Sequence, residues 1–298
     1  MARPKVSGFS IVKNGLRLGY PFIESLKSLA PLCDELLVAH GDSNDGTREA
    51  LNQLAKDLPC PLIVFDSPWD AKNQKGGSEL SRQTNIALEK CTHNICFYIQ
   101  ADEVLHENDY EVLRNDIDRL DSNADASALV LEWIHFYGNF ETIVKSRKWY
   151  RREVRVFKKN QSLQSYGDAQ GFRISTANGG WKKPAALLSR ARIFHYGWVR
   201  PPQTMAQKSE ELDRLWHGNA RDGIHTQDNV YPLQWGMQKF LGLHPQVMLE
   251  RVEAQKGFDP FAGKSLSLNL KFFRHHLEMF IENQSGYRIG EFKNYKLL

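Results

Sequence analysis

The first 120 residues alternate short apolar runs with longer segments in which apolar residues recur every three or four positions. A short apolar run is typical of a buried strand, and the longer spacing is typical of one face of a helix. This alternation favours parallel strands joined by right-handed crossovers, which is the pattern of a Rossmann-like α/β sheet. The predicted strands are residues 9–12, 36–39, 62–65 and 95–99, and the predicted helices are 20–29, 47–58, 79–90 and 110–120.

The pattern changes in the second half of the chain. Longer segments of alternating apolar and polar residues predict antiparallel or mixed strands that complete the sheet. These strands are residues 127–136, 154–158 and 192–198. Helical spacing then returns over residues 204–216, 231–241 and 268–282. Because Pro201 and Pro202 separate the two patterns, we expect a sheet domain over residues 1–200 and a helical C-terminal region over 201–298 packed on it.

Composition narrows the class of protein. A chain of 298 residues with 41% hydrophobic and 25% charged residues is typical of a globular protein and not of a disordered one. The formal net charge of +4 is too small to indicate a nucleic-acid partner. The chain starts without the apolar core of a signal peptide, and its four cysteines show no paired short spacing. These features predict a reduced, cytoplasmic protein.

Polar side chains follow two of the predicted strands where each strand ends. Residues 100–103 (Gln-Ala-Asp-Glu) follow the fourth strand, and residues 43–47 (Ser-Asn-Asp-Gly-Thr) follow the second. In open α/β sheets, ligands bind outside the carboxyl ends of the strands, where strand order reverses. Asp102 is therefore a candidate for binding a diphosphate through a metal ion. The alternative is that Asp102 and Glu103 cap a helix that begins near His106.

Several residues recur in the order that is typical of one enzyme family. They are Asp45-Gly46-Thr47 after the second strand, Arg82 and Asn85 in the third helix, and Ala101-Asp102-Glu103 after the fourth strand. In this order they resemble a family 2 glycosyltransferase with the GT-A fold, a mostly parallel Rossmann-like sheet with antiparallel additions. The resemblance covers about residues 6–136 and extends more loosely to His195. It implies inverting transfer of a sugar from a nucleotide-diphosphate sugar to a hydroxyl of a glycan or lipid-linked glycan, in cell-envelope polysaccharide synthesis.

The resemblance also implies a divalent metal, Mg²⁺ or Mn²⁺, that neutralises the charge growing on the leaving diphosphate. Asp102 would bind this metal, and His195 would be a second ligand that Mn²⁺ accepts. A packed core histidine is the alternative for His195. Gln100 departs from the family, which carries a carboxylate there near the ribose and a metal-bound water. Because glutamine adds no charge, this residue leaves a ribose contact open but puts the metal dependence in question.

The family positions imply further contacts to the donor nucleotide. Asn14 would lie beside the base, and Asp42 would replace an aspartate that the family carries at the end of the second strand. Asp45 would hold the same loop through backbone hydrogen bonds, although a simple turn also explains these residues. Arg82 would reach a phosphate, and Asn85 would line the same groove. A solvated surface arginine is the alternative for Arg82.

An inverting transfer requires a carboxylate base within hydrogen-bond reach of the acceptor hydroxyl. Asp168 is the first candidate, because it lies between two predicted strands where relatives carry acceptor-side residues. Glu132, on the predicted strand 127–136, is the competing candidate. Two other functions stay open: a sugar-nucleotide-binding protein without transfer activity, and a nucleotidyltransferase that would release pyrophosphate.

Two surfaces suggest partners. The basic run at residues 145–152, continued by Arg155, is a candidate site for an anionic acceptor, with a solvated hairpin face as the alternative. The predicted helix 268–282 carries Leu277 and Phe280 on an apolar face, which favours peripheral contact at the inner face of a membrane. Inward packing of that face is the alternative. No segment is typical of a nucleic-acid-binding module.

Overall fold

The N-terminal half of the computed structural model forms a parallel sheet. Its strands are β1 (Val6–Val12), β2 (Glu35–His40), β3 (Leu62–Asp66) and β4 (Ile95–Tyr98). They pair in the order β3-β2-β1-β4, so strand order reverses between β1 and β4. The carboxyl ends of these two strands therefore flank the crevice in which such sheets bind ligands. The structure describes residues 3–70, 76–159, 162–218, 226–227, 230–265 and 270–298, except for the side chains of 270–276 and 283.

Four helices connect and cover this parallel sheet, as the sequence predicts. They are α1 (Phe22–Leu29), α2 (Thr47–Leu54), α3 (Ser78–Lys90) and α4 (Tyr110–Ser122). The largest difference in length is in α2, which ends four residues before the predicted position. There the backbone tightens into turns that bond to the third residue back, on the approach to Pro59, a residue that disfavours helix before it.

The second half of the chain extends the sheet with mostly antiparallel strands. A short strand, β5 (Glu103–Leu105), is followed by the predicted long strands β6 (Ala128–Tyr137) and β8 (Arg152–Lys158), with the hairpin partner β7 (Asn139–Val144) between them. β8 pairs antiparallel with both β4 and β6, and so joins the two halves into one mixed sheet. The Rossmann-like α/β expectation with antiparallel additions is confirmed.

The strands that follow β8 form a second, small sheet and add one long strand to the first sheet. The strands β9 (Leu163–Ser165), β10 (Phe172–Ser175) and β11 (Trp181–Lys182) form a separate small sheet. The predicted strand at 192–198 is the end of a longer one, β12 (Ala185–Trp198), which lies parallel to β6 and antiparallel to β5. This pairing brings the end of β12 beside the residues that follow β4.

The described residues of the C-terminal third form three α-helices and two short strands. The predictions at 204–216 and 268–282 are confirmed by α5 (Pro202–His217) and α7 (Leu270–Ser285). The helix predicted at 231–241 is wrong, because that segment instead contributes β13 (Met237–Lys239), paired with β7. Long-range pairing outweighs the weak helical spacing there, which Pro232 and Gly236 already interrupt. The remaining elements are α6 (Leu249–Ala254) and β14 (Lys296–Leu297), and no described helix is long and apolar enough to cross a bilayer.

Side chains of β1 alternate between two apolar layers. Val6 and Val12 pack into one layer with α1, whereas Phe9 and Ile11 pack into the other with Tyr98. Both faces of the strand are covered, so all seven of its residues are buried, including Ser7 and Ser10. The alternation also directs Ile11 and Tyr98 toward the cleft described next.

Candidate functional site

A cleft of about 270 Å³ lies at the carboxyl ends of β1 and β4. The polar side chains of the cleft come from the ends of β1 and β4, the loop before β10, the end of β12, and α5. Apolar side chains complete the cleft. The lining residues are Ile11, Lys13, Tyr20, Leu80, Tyr98, Gln100, Ala101, Asp102, Tyr150, Asp168, Ala169, Gln170, His195, Lys208, Leu212 and Trp216.

Asp102 is the most strongly paired carboxylate in this cleft. Its Oδ2 lies 3.1 Å from Nζ of Lys208 and 3.8 Å from Nη2 of Arg200. Its Oδ1 lies 3.7 Å from Nε2 of His195. All four side chains are buried. Burial alone would raise the pKa of Asp102, but its interactions with Lys208, His195 and Arg200 outweigh burial and lower that pKa far below its usual range.

Lys208 retains an unused hydrogen-bond donor. Its ammonium donates to Asp102 and, at 2.7 Å, to the carbonyl oxygen of Gly197. An ammonium carries three protons, so these contacts among the described residues leave one for a ligand in the cleft. Burial and the charge of Arg200 lower the pKa of Lys208 to about 8, although Asp102 opposes the shift.

Gly197 permits the close packing of this group. A Cβ at position 197 would lie 2.5 Å from Nε2 of His195 and 2.9 Å from Oδ2 of Asp102. Its carbonyl oxygen accepts hydrogen bonds from both Lys208 and Arg200. Any side chain here would therefore separate the carboxylate from its basic partners.

His195 is held as a neutral ring. Burial lowers the pKa of His195 and, more strongly, that of His135, whose Nδ1 lies 3.0 Å from Nδ1 of His195. Nε2 of His135 lies 2.6 Å from the carbonyl oxygen of Tyr150, so it must be the protonated nitrogen that donates. His135 then accepts through Nδ1 from His195. Nε2 of His195 is consequently unprotonated on the side of Asp102.

Only one residue of the segment 100–103 offers a carboxylate to the cleft. Gln100 is neutral, and its Nε2 donates to the carbonyl oxygen of Ala169 at 3.3 Å. Glu103 is fully buried and accepts from Nη2 of Arg155 at 2.8 Å and from Nε1 of Trp133 at 3.0 Å. Neither Asp102 nor Glu103 caps a helix, because α4 begins only at Tyr110, after a turn that His106 caps.

The donor set does not fit the expected Mg²⁺ or Mn²⁺. Within the described parts of the chain, no three His, Cys, Asp or Glu side chains are grouped to hold a metal ion. Asp102 and His195 are the two available ligands, but Lys208 and Arg200 place two positive charges beside the same carboxylate. A dication there would be strongly repelled in this buried setting. The residues expected to bind metal therefore form an ion cluster instead.

Asp168 lies in the same cleft as Asp102, on a tightly constrained turn. Burial raises its pKa, so the carboxylate is a better proton acceptor than one in water. A Cβ on Gly77, which has φ of +72° just before α3, would lie 2.9 Å from Cβ of Asp168. The neighbouring Ala169 has φ of +60°, an uncommon conformation for a residue with a side chain. Such constraint is typical of functional sites.

Six of the predicted site residues are not among those that line the cleft: Asn14, Asp42, Asp45, Arg82, Asn85 and Glu132. Glu132 is 42% exposed on β6 and lies 3.7 Å from Nη2 of Arg152. Arg82 pairs with Glu79 at 2.6 Å. The side-chain amide of Asn85 makes two hydrogen bonds to the backbone of Ser165: its Nδ2 donates to the carbonyl oxygen at 3.0 Å, and its Oδ1 accepts from the N–H at 2.8 Å. These contacts hold β9 against α3.

The three residues predicted near the nucleotide lie along the β1 and β2 ends. Asn14 is buried with φ of +51°, and its backbone N–H donates to Oγ of Ser43 at 2.9 Å. Asp42 lies 2.8 Å from Nζ of Lys13, a lining residue. Burial tends to raise the pKa of Asp42, but this lysine lowers it overall.

Asp45 fixes the loop, as the sequence predicts for the turn after the second strand. Its Oδ1 accepts from the backbone N–H of Thr47 at 3.1 Å and from the Thr47 hydroxyl at 2.6 Å. Its Oδ2 accepts from the backbone N–H of Arg17 at 2.7 Å. Both oxygens are therefore used inside the protein.

The two basic residues beside Asp102, Arg200 and Lys208, were not predicted from the sequence. Arg200 lies just before α5, and Lys208 lies within that helix. One signal was present: Lys208 shares the helical spacing of Met205, Leu212 and Trp216, where an apolar side chain is normal. A lysine on the inward stripe of a helix must find a charged partner.

Two arginines of the basic run at residues 145–152 pair with acidic residues of the C-terminal region. Arg147 lies 3.1 Å from Glu278 on α7, and Arg151 lies 3.1 Å from Glu291. Arg155 is buried against Glu103. These contacts favour a structural role for the run over the predicted site for an anionic acceptor.

Comparisons with known proteins were made by family, by sequence and by structure. The model of glycosyl transferase family 2 matches residues 20–177. No curated protein matches the sequence. The solved structure of S. aureus TarS is 13% identical with a TM-score of 0.39, covering 93% of this chain and 49% of TarS, so the chain spans about half the length of that protein.

Two shorter TarS structures, of residues 1–349, give similar values. The complex with UDP is 14% identical with a TM-score of 0.40, covering 92% of this chain and 78% of the other. The complex with UDP-GlcNAc is 15% identical with a TM-score of 0.40, covering 93% and 81%. At such TM-scores these likenesses carry no argument. The family model spans more than half of the chain, so this chain, with its mixed α/β fold, belongs to glycosyl transferase family 2.

Proposed function

We propose that this glycosyltransferase moves a sugar from a nucleotide-diphosphate sugar to a hydroxyl group by a single displacement with inversion. One observation carries the proposal: a basic, diphosphate-sized site around Asp102 and a half-buried carboxylate, Asp168, line the same cleft at the strand-order reversal. Such a pairing supplies the two things that the reaction needs, stabilisation of a leaving diphosphate and a base for the acceptor.

In this proposal the donor nucleotide lies toward the ends of β1 and β2. Lys13, Asn14 and Asp42 are the candidates to contact it, because they are the polar residues nearest that end of the cleft. Gln100 would contact the ribose through its amide. Asp45 contributes by holding the loop, and Arg82 and Asn85 contribute by holding α3 and β9.

Asp168 would remove the proton of the acceptor hydroxyl as that oxygen attacks the anomeric carbon. Its raised pKa supports this role, because it makes the carboxylate a stronger base than one in water. Glu132 is the weaker candidate, since it lies outside the cleft lining and is partly exposed. No metal-dependent step is included, because the donor set does not fit a dication.

The test is to incubate the protein with a panel of nucleotide sugars and measure nucleoside diphosphate release. We expect release with at least one donor, lost in Asp168→Asn while donor binding remains. Tight donor binding without release under any acceptor would support the binding-protein alternative. Pyrophosphate released from a nucleoside triphosphate would support a nucleotidyltransferase.

The acceptor and the cellular setting form a second part of the proposal. We propose a glycan or lipid-linked glycan acceptor, with α7 in peripheral contact with the inner face of a membrane. Leu277 and Phe280 on α7 are 60% and 61% exposed, which supports such contact; the side chains of Leu270 and Phe273 lie outside the described residues. Sedimentation with anionic vesicles tests it: a Leu277→Ser, Phe280→Ser variant that sediments like the wild type would contradict the proposal.

The division into residues 1–200 and 201–298 also stays a proposal. The contact between Lys208 and Asp102 supports a C-terminal region packed on the sheet domain. Limited proteolysis tests it, since cleavage near residue 201 that leaves a folded N-terminal fragment is the expected result.

A further inference from the structure

Deepening the proposed function, on which this inference rests, we propose that Lys208 takes the place of a divalent cation. Its ammonium group binds the donor diphosphate and stabilises the leaving nucleoside diphosphate, with Arg200 as a positioning residue. Sugar transfer by this protein is therefore independent of divalent metal.

The placement of the ammonium is the first support. Lys208 lines the cleft that holds Asp102 and Asp168, and it is held there by two acceptors, Asp102 at 3.1 Å and the carbonyl of Gly197 at 2.7 Å. Among the described residues the third proton of the ammonium has no hydrogen-bond acceptor, and the ammonium lies 4.9 Å from the centre of the Tyr20 ring. A fixed donor with one free hydrogen is suited to a phosphate oxygen.

Arg200 supplies the second support. Its side chain is 1% exposed, and it is fixed by donation from Nε to the carbonyl oxygen of Leu18 at 2.7 Å and by a bond to Gly197. Its Nη2 is buried without a hydrogen-bond partner in the described structure and lies 3.8 Å from Asp102. Arg200 thus balances the charge of Asp102 and leaves the charge of Lys208 available to a ligand.

The local charge matches that of a metal site. Asp102 contributes −1, Lys208 and Arg200 contribute +1 each, and His195 is neutral, so the sum is +1. A single carboxylate bound to a dication has the same sum. The site therefore offers the diphosphate an equal net charge without a metal ion.

The other residues of the segment 100–103 add no free negative charge that would reduce this positive sum. Gln100 is neutral, so it adds no second carboxylate beside Asp102. Glu103 is sealed against Arg155 with both side chains at 0% exposure. A second carboxylate directly beside Asp102 would repel the diphosphate unless a metal ion screened it.

The chemical step balances without a metal. The acceptor oxygen forms a bond to the anomeric carbon as the bond from that carbon to the diphosphate oxygen breaks. The electron pair of the broken bond stays on the diphosphate, and the acceptor proton moves to Asp168. Lys208 donates a hydrogen bond to the growing negative charge and keeps its proton.

Binding measured with a chelator present tests the inference. UDP, GDP, ADP, CDP and dTDP, each paired with its nucleoside, are titrated into the protein by calorimetry in excess EDTA. We expect at least one diphosphate to bind more tightly than its nucleoside. Lys208→Met should weaken that diphosphate by about 30-fold or more and leave its nucleoside unchanged.

Two variants serve as controls. Arg214→Ala changes an exposed residue of the same helix and should leave both affinities unchanged. Lys208→Arg keeps the charge and should keep binding in EDTA within about tenfold. If Lys208→Met does not fold, the comparison of wild type and Lys208→Arg in EDTA and in Mn²⁺ still decides the inference.

The outcomes separate this inference from the proposed function. Diphosphate binding that appears only after Mn²⁺ or Mg²⁺ is added would overturn the role of Lys208 and leave the glycosyltransfer proposal standing. Unchanged binding in Lys208→Met would do the same. If no diphosphate binds with or without metal, both proposals fail.

Discussion

Nζ of Lys208 lies 3.1 Å from Oδ2 of Asp102, although 106 residues separate the two in the chain. The carboxylate follows the central strand β4, and the ammonium comes from helix α5. Because of this contact, Asp102 is part of a basic cluster, although it follows a strand end where this family usually carries a metal ligand. This contact and its surroundings determine how ligand binding and stability should respond to mutation and to pH.

Diphosphate affinity should fall as the pH rises above about 8, the value to which burial and Arg200 lower the pKa of Lys208. The charged form binds the anion, and binding raises the pKa again, so affinity drops by up to about tenfold per pH unit. Calorimetry across pH 7–10 measures this drop. Lys208→Arg should remove it, and an equally steep drop in that variant would contradict the assignment.

The same lowered pKa predicts a rise in protein stability at high pH. Between about 8 and the usual lysine pKa of 10.5, the unfolded lysine holds a proton that the folded one has lost. Because stability rises with pH wherever the unfolded state binds more protons, the free energy of unfolding should increase over this window. Urea unfolding of the wild type and of Lys208→Met gives the difference, and a wild type that loses stability relative to the variant would exclude the shift.

Asp168→Asn should lower kcat by about 100- to 10,000-fold with little change in donor affinity, because the amide cannot accept the acceptor proton. The matched change Glu132→Gln lies outside the cleft lining and should alter kcat by no more than about twofold. Steady-state kinetics with the donor identified in the release assay measures both. The reverse result would make Glu132 the base.

Gly77→Ala should displace Asp168, since its Cβ would lie 2.9 Å from Cβ of Asp168. We expect kcat to fall by about 10- to 100-fold, together with a loss of about 1–2 kcal/mol in the free energy of unfolding. Gly76→Ala is the control, because Gly76 has a similar φ of +62° but no atom within 4 Å of the added carbon. Equal kcat in the two variants would show that the contact with Asp168 is unimportant.

Glu103→Gln should destabilise the protein by about 3–5 kcal/mol, because it leaves Arg155 as an uncompensated buried charge. Breaking the partly exposed pair of Glu132 and Arg152 should cost no more than about 1 kcal/mol. Chemical denaturation of Glu103→Gln and Glu132→Gln measures both. A small loss in Glu103→Gln would contradict a structural role for this ion pair.

The parallel half of the fold follows from contiguous residues. The strands β1, β2 and β4 are short and buried on both faces, and β3 is a short, partly exposed apolar run, so all four stand out from the amphipathic helices between them. The strand-end position of Asp102 could be located in the same way. The short strand β13 could not, because its conformation depends on pairing with β7, about 100 residues earlier.

The candidate site likewise contains residues that local sequence patterns located and residues whose contacts those patterns could not predict. Asp102, Gln100 and Asp168 were found because strand ends and turns are visible in a local pattern, and all three line the cleft. Arg82 and Asn85 were placed in the correct helix but face Glu79 and Ser165, a choice set by side-chain direction around that helix.

Local sequence was sufficient for the order of strands and helices in the parallel half, for the strand-end aspartate and for the neutral Gln100 near it, since each depends on neighbours within a few positions. The charge of the site was decided by packing. Lys208 and Arg200 reach Asp102 only because α5 folds back over the ends of β1 and β4, and because Gly197 leaves room for them. Coulomb interactions depend on distance in space and not along the chain, so the identity of the cation beside Asp102 is a property of the folded molecule.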